Sequence, residues 1–411
     1  MHIAGNPGTL SERQRELVDL AAQLGRERFA PRAAAHDRDA SFPFDNYQDL
    51  RASGLLAICV PQASGGLGAD FATYAMVAAE IGRHCGATAL SFAMHVSPCL
   101  WSGLVADALA MSPAQRAEHE RFRAAHFGNI VERGQLYSQP FSEDGAAAAG
   151  QAPWGTLAHP VDGGYRVSGR KTFASLAGAA DFYGVLCTLE RPAATPLDAL
   201  YLAVPAGAAG VSAVGDWDPL GMRGTVSRTL VLDDVFVPHS ARLLPEGLYA
   251  EAAARFPHMF TTQSPTYMGL AQAAYDFTVQ YLRGEVPGMA PVKRRMYPTK
   301  QIAVAQMRIT LEQTRALFLQ SARDAGVDPD DDTRQRLLAA HYTVMENAND
   351  LARLAIRTCG GQSLLKSLPL ERLYRDSRCG SLMLPWTAEL CLDRLGREGL
   401  YEGGESDEAI E

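Results

Sequence analysis

The sequence predicts an α+β fold in which helix dominates: a helical N-terminal block, a compact β block, then a helical bundle. Three observations carry this. Leu17, Leu20, Ala21 and Leu24 recur at helical spacing early in the chain. The texture changes near Gly134, after which short β-rich runs alternate with Gly and Pro punctuation up to residue 245. Long helical patterns return from 246, and no repeat of fixed period is visible. The expected domains are 1–130, 131–245 and 246–411.

The first periodic run is expected to stop before Pro31. GLLAICVP at 54–61 runs into the turn-rich ASGGLGAD, and a helix follows through Tyr74, Val77, Ala78 and Ile81. ATALSFAMHVSPCLW reads as a largely buried helix. In the β block, YRVSGRKTF, FYGVLCTL, DALYLAV and TLVLDDVFVP suit strands, whereas GAAAAGQAP and RPAATP read as loops. MGLAQAAYDFTVQYLRG is one helix ended by Gly284, and a second, beginning TKQIAVAQ, is closed by Gly326. VDPDDD caps a third and gives it an acidic first turn. Leu338, Tyr342, Met345, Ala348, Ala352 and Ala355 form its stripe.

The net charge of −8 gives no electrostatic reason to expect a nucleic-acid partner. No apolar run is long enough to span a membrane, and the start lacks the cationic head and apolar stretch of a secretory signal. The seven cysteines are scattered, odd in number and free of any Cys-x-x-Cys pair. They imply a reducing cytoplasm, with no disulfide framework and no metal site.

Several strings, in this order, resemble the acyl-CoA dehydrogenase superfamily: GLLAICVPQASGGLGAD, FSEDG, GGYRVSGRKTFAS, DPLGMRGTVSRTLVLDDVFVP and RTCGGQSLLKSLPLERLYRDSR. The resemblance covers nearly the whole chain. It implies an N-terminal helical domain, a central β-barrel or sandwich, and a C-terminal four-helix bundle. It also implies FAD. Ser142 matches the hydroxyl that bonds the pyrimidine edge of the flavin. Phe173 matches the aromatic residue flanking the ring, and Ser175 the hydroxyl on flavin N5. In a strand, residues 173 and 175 would share a face, as one ligand requires. Gly360 and Gly361 resemble the glycine pair that approaches FAD from a neighbouring subunit, with Arg357 where a Gln is frequent. This carry-over implies a homodimer or homotetramer. Lys293, Arg294 and Arg295 are either diphosphate contacts or a solvated basic loop.

The catalytic positions depart from the family. Relatives that oxidise an acyl-CoA remove an α-proton with a Glu eight or nine residues after the Arg-Asp pair, and counting from Arg375-Asp376 gives Leu384. Leucine cannot take a proton. Other members carry the Glu on the helix before the GLAQ string, where this chain has Met259, and Phe260 replaces a CoA-contacting Arg. His95 is the residue to examine instead, as a functional cavity histidine or a buried one bonded to a carbonyl. His258 is a lesser candidate, Glu143 falls where the family's Glu is structural, and Glu389 falls beyond one helical turn from Leu384.

Three functions follow from the resemblance. The first is hydride transfer to flavin N5 from an acyl thioester on CoA or a carrier protein, with an electron-transfer flavoprotein or oxygen as acceptor. The second is a monooxygenase or oxidase of the same fold using reduced flavin and oxygen. The third is a flavin-binding subunit without catalysis.

Overall fold

In the computed structural model, which describes residues 3–5, 7–144 and 153–401, six helices precede the sheet. They are α1 (Glu12–Leu24), α2 (Ala30–Asp39), α3 (Phe44–Ala52), α4 (Phe71–His84), α5 (Gly86–Leu100) and α6 (Pro113–Val131). Seven strands follow: β1 (Tyr137–Ser138), β2 (Leu157–Val161), β3 (Gly164–Ala174), β4 (Phe182–Leu189), β5 (Ala199–Pro205), β6 (Val211–Val214) and β7 (Arg228–Pro238). The chain ends in α7 (Tyr249–Arg255), α8 (Ser264–Arg283), α9 (Pro298–Arg323), α10 (Asp331–Cys359), α11 (Leu370–Arg378) and α12 (Ala388–Leu400). Most of the GAAAAGQAP stretch, at 145–152, lies outside the described residues.

Local chemistry explains most boundaries. Ser11 and Ser112 close capping boxes with Gln14 and Gln115 at the starts of α1 and α6. Asp330 caps α10 ahead of Asp331 and Asp332, and Gly284 ends α8 at φ +73°. The expected stop before Pro31 does not occur. A π-helical turn at Gly25–Phe29 carries the helix on into α2, and Pro31 falls in the first turn of α2, where a missing N–H costs least. Nor does Gly326 close α9, which ends at Arg323 with Asp324 as its C-cap.

The sheet order is β1-β4-β2-β3-β7-β6, with β5 also on β4. A bridge between Leu202 and Arg242 brings the segment after β7 back to β5, so the sheet curls. Three strands went unread in the sequence. β1 has two residues, β2 contains a proline and is mostly exposed, and β6 is a short edge.

The helical blocks pack through α4 and α8. A Cβ added at Gly269 would lie 2.2 Å from the Ala79 carbonyl oxygen, and one at Gly82 would lie 2.6 Å from that of Thr266. Backbone therefore meets backbone, which only glycine permits. α8, α9, α10 and α11 form the C-terminal bundle. No described helix is long and apolar enough to cross a membrane.

Candidate functional site

The last turn of β3 departs from strand geometry. The β3–β7 register shifts between Lys171 and Ala174, and Phe173 has φ +50°. The expected shared face of Phe173 and Ser175 is therefore wrong. The bulge turns the Phe173 ring outward, 72% exposed, while Ser175 is buried just past the strand end. Leu176, Met222 and Val226 also have positive φ, so strained residues cluster on both sides of this edge.

Three of the candidate residues come together here. The Thr172 N–H donates to the Ser142 carbonyl at 2.9 Å, which lays the Ser142 loop beside the end of β3. The neighbouring Glu143 fixes that loop. Its carboxylate accepts from the Gly155 N–H at 2.7 Å, the Thr156 N–H at 3.0 Å, the Thr156 hydroxyl at 2.5 Å and Lys171 Nζ at 2.6 Å. Burial alone would raise the pKa of Glu143, but the charge and hydrogen bond of Lys171, with the hydrogen bonds from Thr156 and Gly155, together hold the group below its ordinary value. Glu143 is a structural anion.

Sequence reading missed the other half of the site. Ser175 Oγ lies 2.8 Å from Ser227 Oγ, and Ser227 Oγ lies 2.7 Å from Thr225 Oγ1. Trp217 stands edge-on to Phe173 at 6.5 Å and donates its indole N–H to the Arg223 carbonyl at 2.8 Å. Thr225 and Ser227 lie in the DPLGMRGTVSRTL string, and their alternate spacing was the only signal. The Met222 N–H donates to Asp376 Oδ1 at 2.6 Å, tying this loop to α11. Arg375 grips Asp37 of α2 through two bonds of 2.9 and 2.6 Å and donates to the Leu220 carbonyl at 3.0 Å.

Arg357, Gly360 and Gly361 lie elsewhere, at the C-terminal end of α10. An added Cβ at either glycine meets nothing within 4 Å, so open space faces both. Arg357 is exposed, and Arg294 stacks on Tyr281, whose hydroxyl donates to Gln362. Lys293 and Arg295 are exposed. Among the described residues, no hydrogen bond or ion pair joins this group to the Ser175 edge.

His95 is a staple. Its Nδ1 accepts from the Tyr137 N–H at 3.0 Å, which places the ring proton on Nε2, 3.0 Å from the Leu56 carbonyl. Both nitrogens are used, and burial pulls the pKa down to about 4 against those two bonds. His258 is buried against Phe71, with neither ring nitrogen hydrogen-bonded, and burial lowers its pKa to about 4.

No acidic side chain occupies the two base positions. Leu384 follows Met383, whose sulfur accepts from the Tyr267 hydroxyl, and precedes Pro385 and Trp386, whose carbonyl accepts from His341. Glu389 is exposed in the first turn of α12. Met259 is buried, and Phe260 packs on Trp101 at 6.0 Å. Trp101 meets Tyr249 at 5.4 Å, and Tyr249 meets Phe141, next to Ser142, at 6.3 Å. Carbon thus fills the position at which the resemblance implies a CoA-contacting arginine. Two hollows elsewhere, one among α4, α8, α9 and α10 and one where α6 meets the sheet, touch none of the flavin candidates. Among the described residues, no cluster of His, Cys, Asp or Glu could hold a metal.

The edge fits a flat heteroaromatic group. An outward aromatic face, a hydroxyl beside it and an adjacent loop with polar atoms are what such a ring requires.

The chain is similar to known proteins along most of its length. The acyl-CoA dehydrogenase N-terminal, middle and C-terminal domain profiles match residues 11–118, 140–235 and 261–382. The putative acyl-CoA dehydrogenase YdbM of Bacillus subtilis (strain 168) is 28% identical over 90% of this chain and 93% of its own length. L-evernosamine nitrososynthase of a Micromonospora species is 28% identical over 94% of this chain and 90% of its own. KijD3 in complex with FMN and a dTDP-linked amino-keto sugar superposes with a TM-score of 0.78 at 25% identity, covering 95% of this chain and 94% of that one.

Two predictions follow from this geometry. His95→Leu leaves a buried N–H and a buried carbonyl unpaired, so it should cost about 2–5 kcal/mol in urea unfolding. Unchanged stability would return His95 to the chemistry. Asp376 is buried, and desolvation raises its pKa to about 6. Its folded pKa exceeds its unfolded one, so its contribution to stability is full below pH 4 and fades as pH rises through 6. Asp376→Asn keeps an oxygen for the Met222 N–H. Relative to wild type it should gain up to about 3 kcal/mol between pH 4 and pH 7. Parallel pH profiles of unfolding for the two proteins would refute the burial argument.

Proposed function

The chain is a flavin-dependent oxidoreductase of the acyl-CoA dehydrogenase family, and we propose that it oxygenates a substrate carrying no CoA arm, using reduced flavin and oxygen. The observation that carries this reading is the replacement of both proton acceptors and the CoA-contacting cation by Leu384, Met259 and Phe260, the last inside an aromatic cluster. Reduced flavin would supply two electrons, so that one oxygen atom enters the substrate and the other leaves as water.

The residues divide the remaining work. Phe173 would give the flavin a flat wall, Ser142 would address its pyrimidine edge and Ser175 its N5. The Phe141–Tyr249–Trp101–Phe260 cluster excludes water beside them. A nitrososynthase among the relatives, and a neighbour bound to FMN and a nucleotide sugar, support chemistry other than thioester dehydrogenation. The second reading is dehydrogenation of an acyl thioester with an electron-transfer flavoprotein as acceptor, supported by the YdbM relative. It requires a base at neither expected position.

We take FAD as the bound form, completed across a subunit interface by Arg357, Gly360 and Gly361 of a second copy. Ile302 and Ile309, each 60% exposed and two turns apart on α9, give the bundle an apolar face suited to a dimer or tetramer. The seven free cysteines support a cytoplasmic setting.

Anaerobic mixing with butyryl-, octanoyl- and palmitoyl-CoA tests the reaction. Flavin absorbance should persist, with turnover about 10²–10⁴-fold below that of a relative bearing the carboxylate. Oxygen consumption should appear once a flavin reductase is supplied. Bleaching by any of the three at ordinary rates sinks the proposal. Light scattering should show a dimer or tetramer, and Gly361→Trp should lose most of its FAD while keeping its helical circular dichroism. A monomer with full FAD occupancy rules out the shared site.

A further inference from the structure

We propose that Ser175 faces the flavin as a hydrogen-bond acceptor, because Ser227 and Thr225 take up its proton and fix its direction. This rests on the reading that the flavin lies against Ser175. Three buried hydroxyls make three contacts. Thr225 Oγ1 donates to the Met222 carbonyl at 2.8 Å, Ser227 Oγ lies 2.7 Å from Thr225 Oγ1, and Ser175 Oγ lies 2.8 Å from Ser227 Oγ. A carbonyl has no proton, so the first contact must use that of Thr225. The second must then use that of Ser227, and the third that of Ser175. Each hydroxyl carries one proton, so only this assignment leaves no pair of oxygens facing each other without a hydrogen.

The assignment leaves Ser175 Oγ with lone pairs and no proton to offer. The backbone holds the chain in place. The Leu176 N–H donates to the Thr225 carbonyl at 2.9 Å, the Ala177 N–H to that of Val226 at 3.2 Å, and the Ser138 hydroxyl to that of Ser175 at 2.5 Å. Asp376 holds Met222, the terminus of the relay, at 2.6 Å.

The two oxidation states of flavin differ at the atom concerned. N5 of the oxidised ring is an acceptor and gains nothing from a second acceptor. N5 of the reduced ring carries a hydrogen and pairs with one. The trio therefore favours the reduced form, which suits a protein that takes up flavin already reduced. Thr225 and Ser227 are positioning residues, acting through Ser175.

The test is the two-electron reduction potential of the FAD-reconstituted protein. Ser227→Ala frees the Ser175 proton to turn toward N5 and stabilise the oxidised ring. The equilibrium constant for reduction should fall about tenfold, the net worth of one hydrogen bond, or about 30 mV. Thr225→Val should act in the same direction, because the Ser227 proton can then serve the Ser175 contact, whereas Thr225→Ser keeps the hydroxyl and the wild-type potential. In a Ser175→Ala background, Ser227→Ala should add no shift. A potential that stays or rises in Ser227→Ala, or a shift that persists without Ser175, overturns the orientation. If Ser227→Ala does not retain flavin, the Thr225→Val and Thr225→Ser pair decides. A Ser175→Ala potential equal to wild type would instead show that the flavin does not lie against this residue, and the underlying reading fails.

Discussion

The Arg375–Asp376 dipeptide is the joint on which the rest of the arrangement depends. It stands on α11, yet Arg375 holds Asp37 of the N-terminal block and the Leu220 carbonyl, while Asp376 holds the Met222 N–H. Three separate stretches of chain meet at two neighbouring residues. A Cβ at Gly221 would lie 2.3 Å from the Arg375 carbonyl oxygen, so the backbones also touch. Removing a guanidinium that makes paired bonds to a carboxylate would cost far more than removing a surface ion pair. The positive-φ turns at Met222 and Val226 persist because this joint and the β3 edge hold them from both sides.

The architecture was legible because its signals are local. Capping residues, helical stripes and alternating strands each act within a few positions, and they set the order of helix, sheet and helix. The π-helical turn before Pro31 was not legible, since nothing in GRERFAP distinguishes it from a helix end. In the site, the positions of Ser142, Phe173 and Ser175 on one edge followed from matched strings, but their directions did not. Residues 173 and 175 share a face only in a regular strand, and the bulge that breaks the pattern depends on pairing with β7. Thr225 and Ser227 were invisible for a related reason. Their role comes from contact with Ser175, some fifty positions earlier in the chain, and hydroxyls are common in loops. His95 shows the converse. Sequence offered two uses for it, and only the partners at Leu56 and Tyr137 separate them.

In the proposed reading, the missing carboxylates and the aromatic cluster around Phe260 serve one end. A proton acceptor near a flavin is useful when a C–H bond must lose its proton, and costly where water must be kept out. On that reading, Leu384, Met259 and Phe260 would take charge away from the surroundings of the flavin and leave hydroxyls as its polar neighbours. Glu143, the nearby acid that remains, is spent on Lys171 and the 155–156 turn. That buried pair fixes the loop beside the end of β3.

The glycine crossing of α4 and α8 has a mechanical consequence. Side chains between helices act as springs, because rotamers can change as the helices slide. Where Gly82 and Gly269 bring main chain against main chain, no such compliance exists. The two helical blocks are therefore welded into a single stiff frame. The sheet is attached to that frame by side-chain ties, among them those of His95, Arg375 and Asp376, and by the close backbone approach of Gly221 to Arg375. The β3 edge therefore takes its position from a few such contacts with a frame that cannot itself give way.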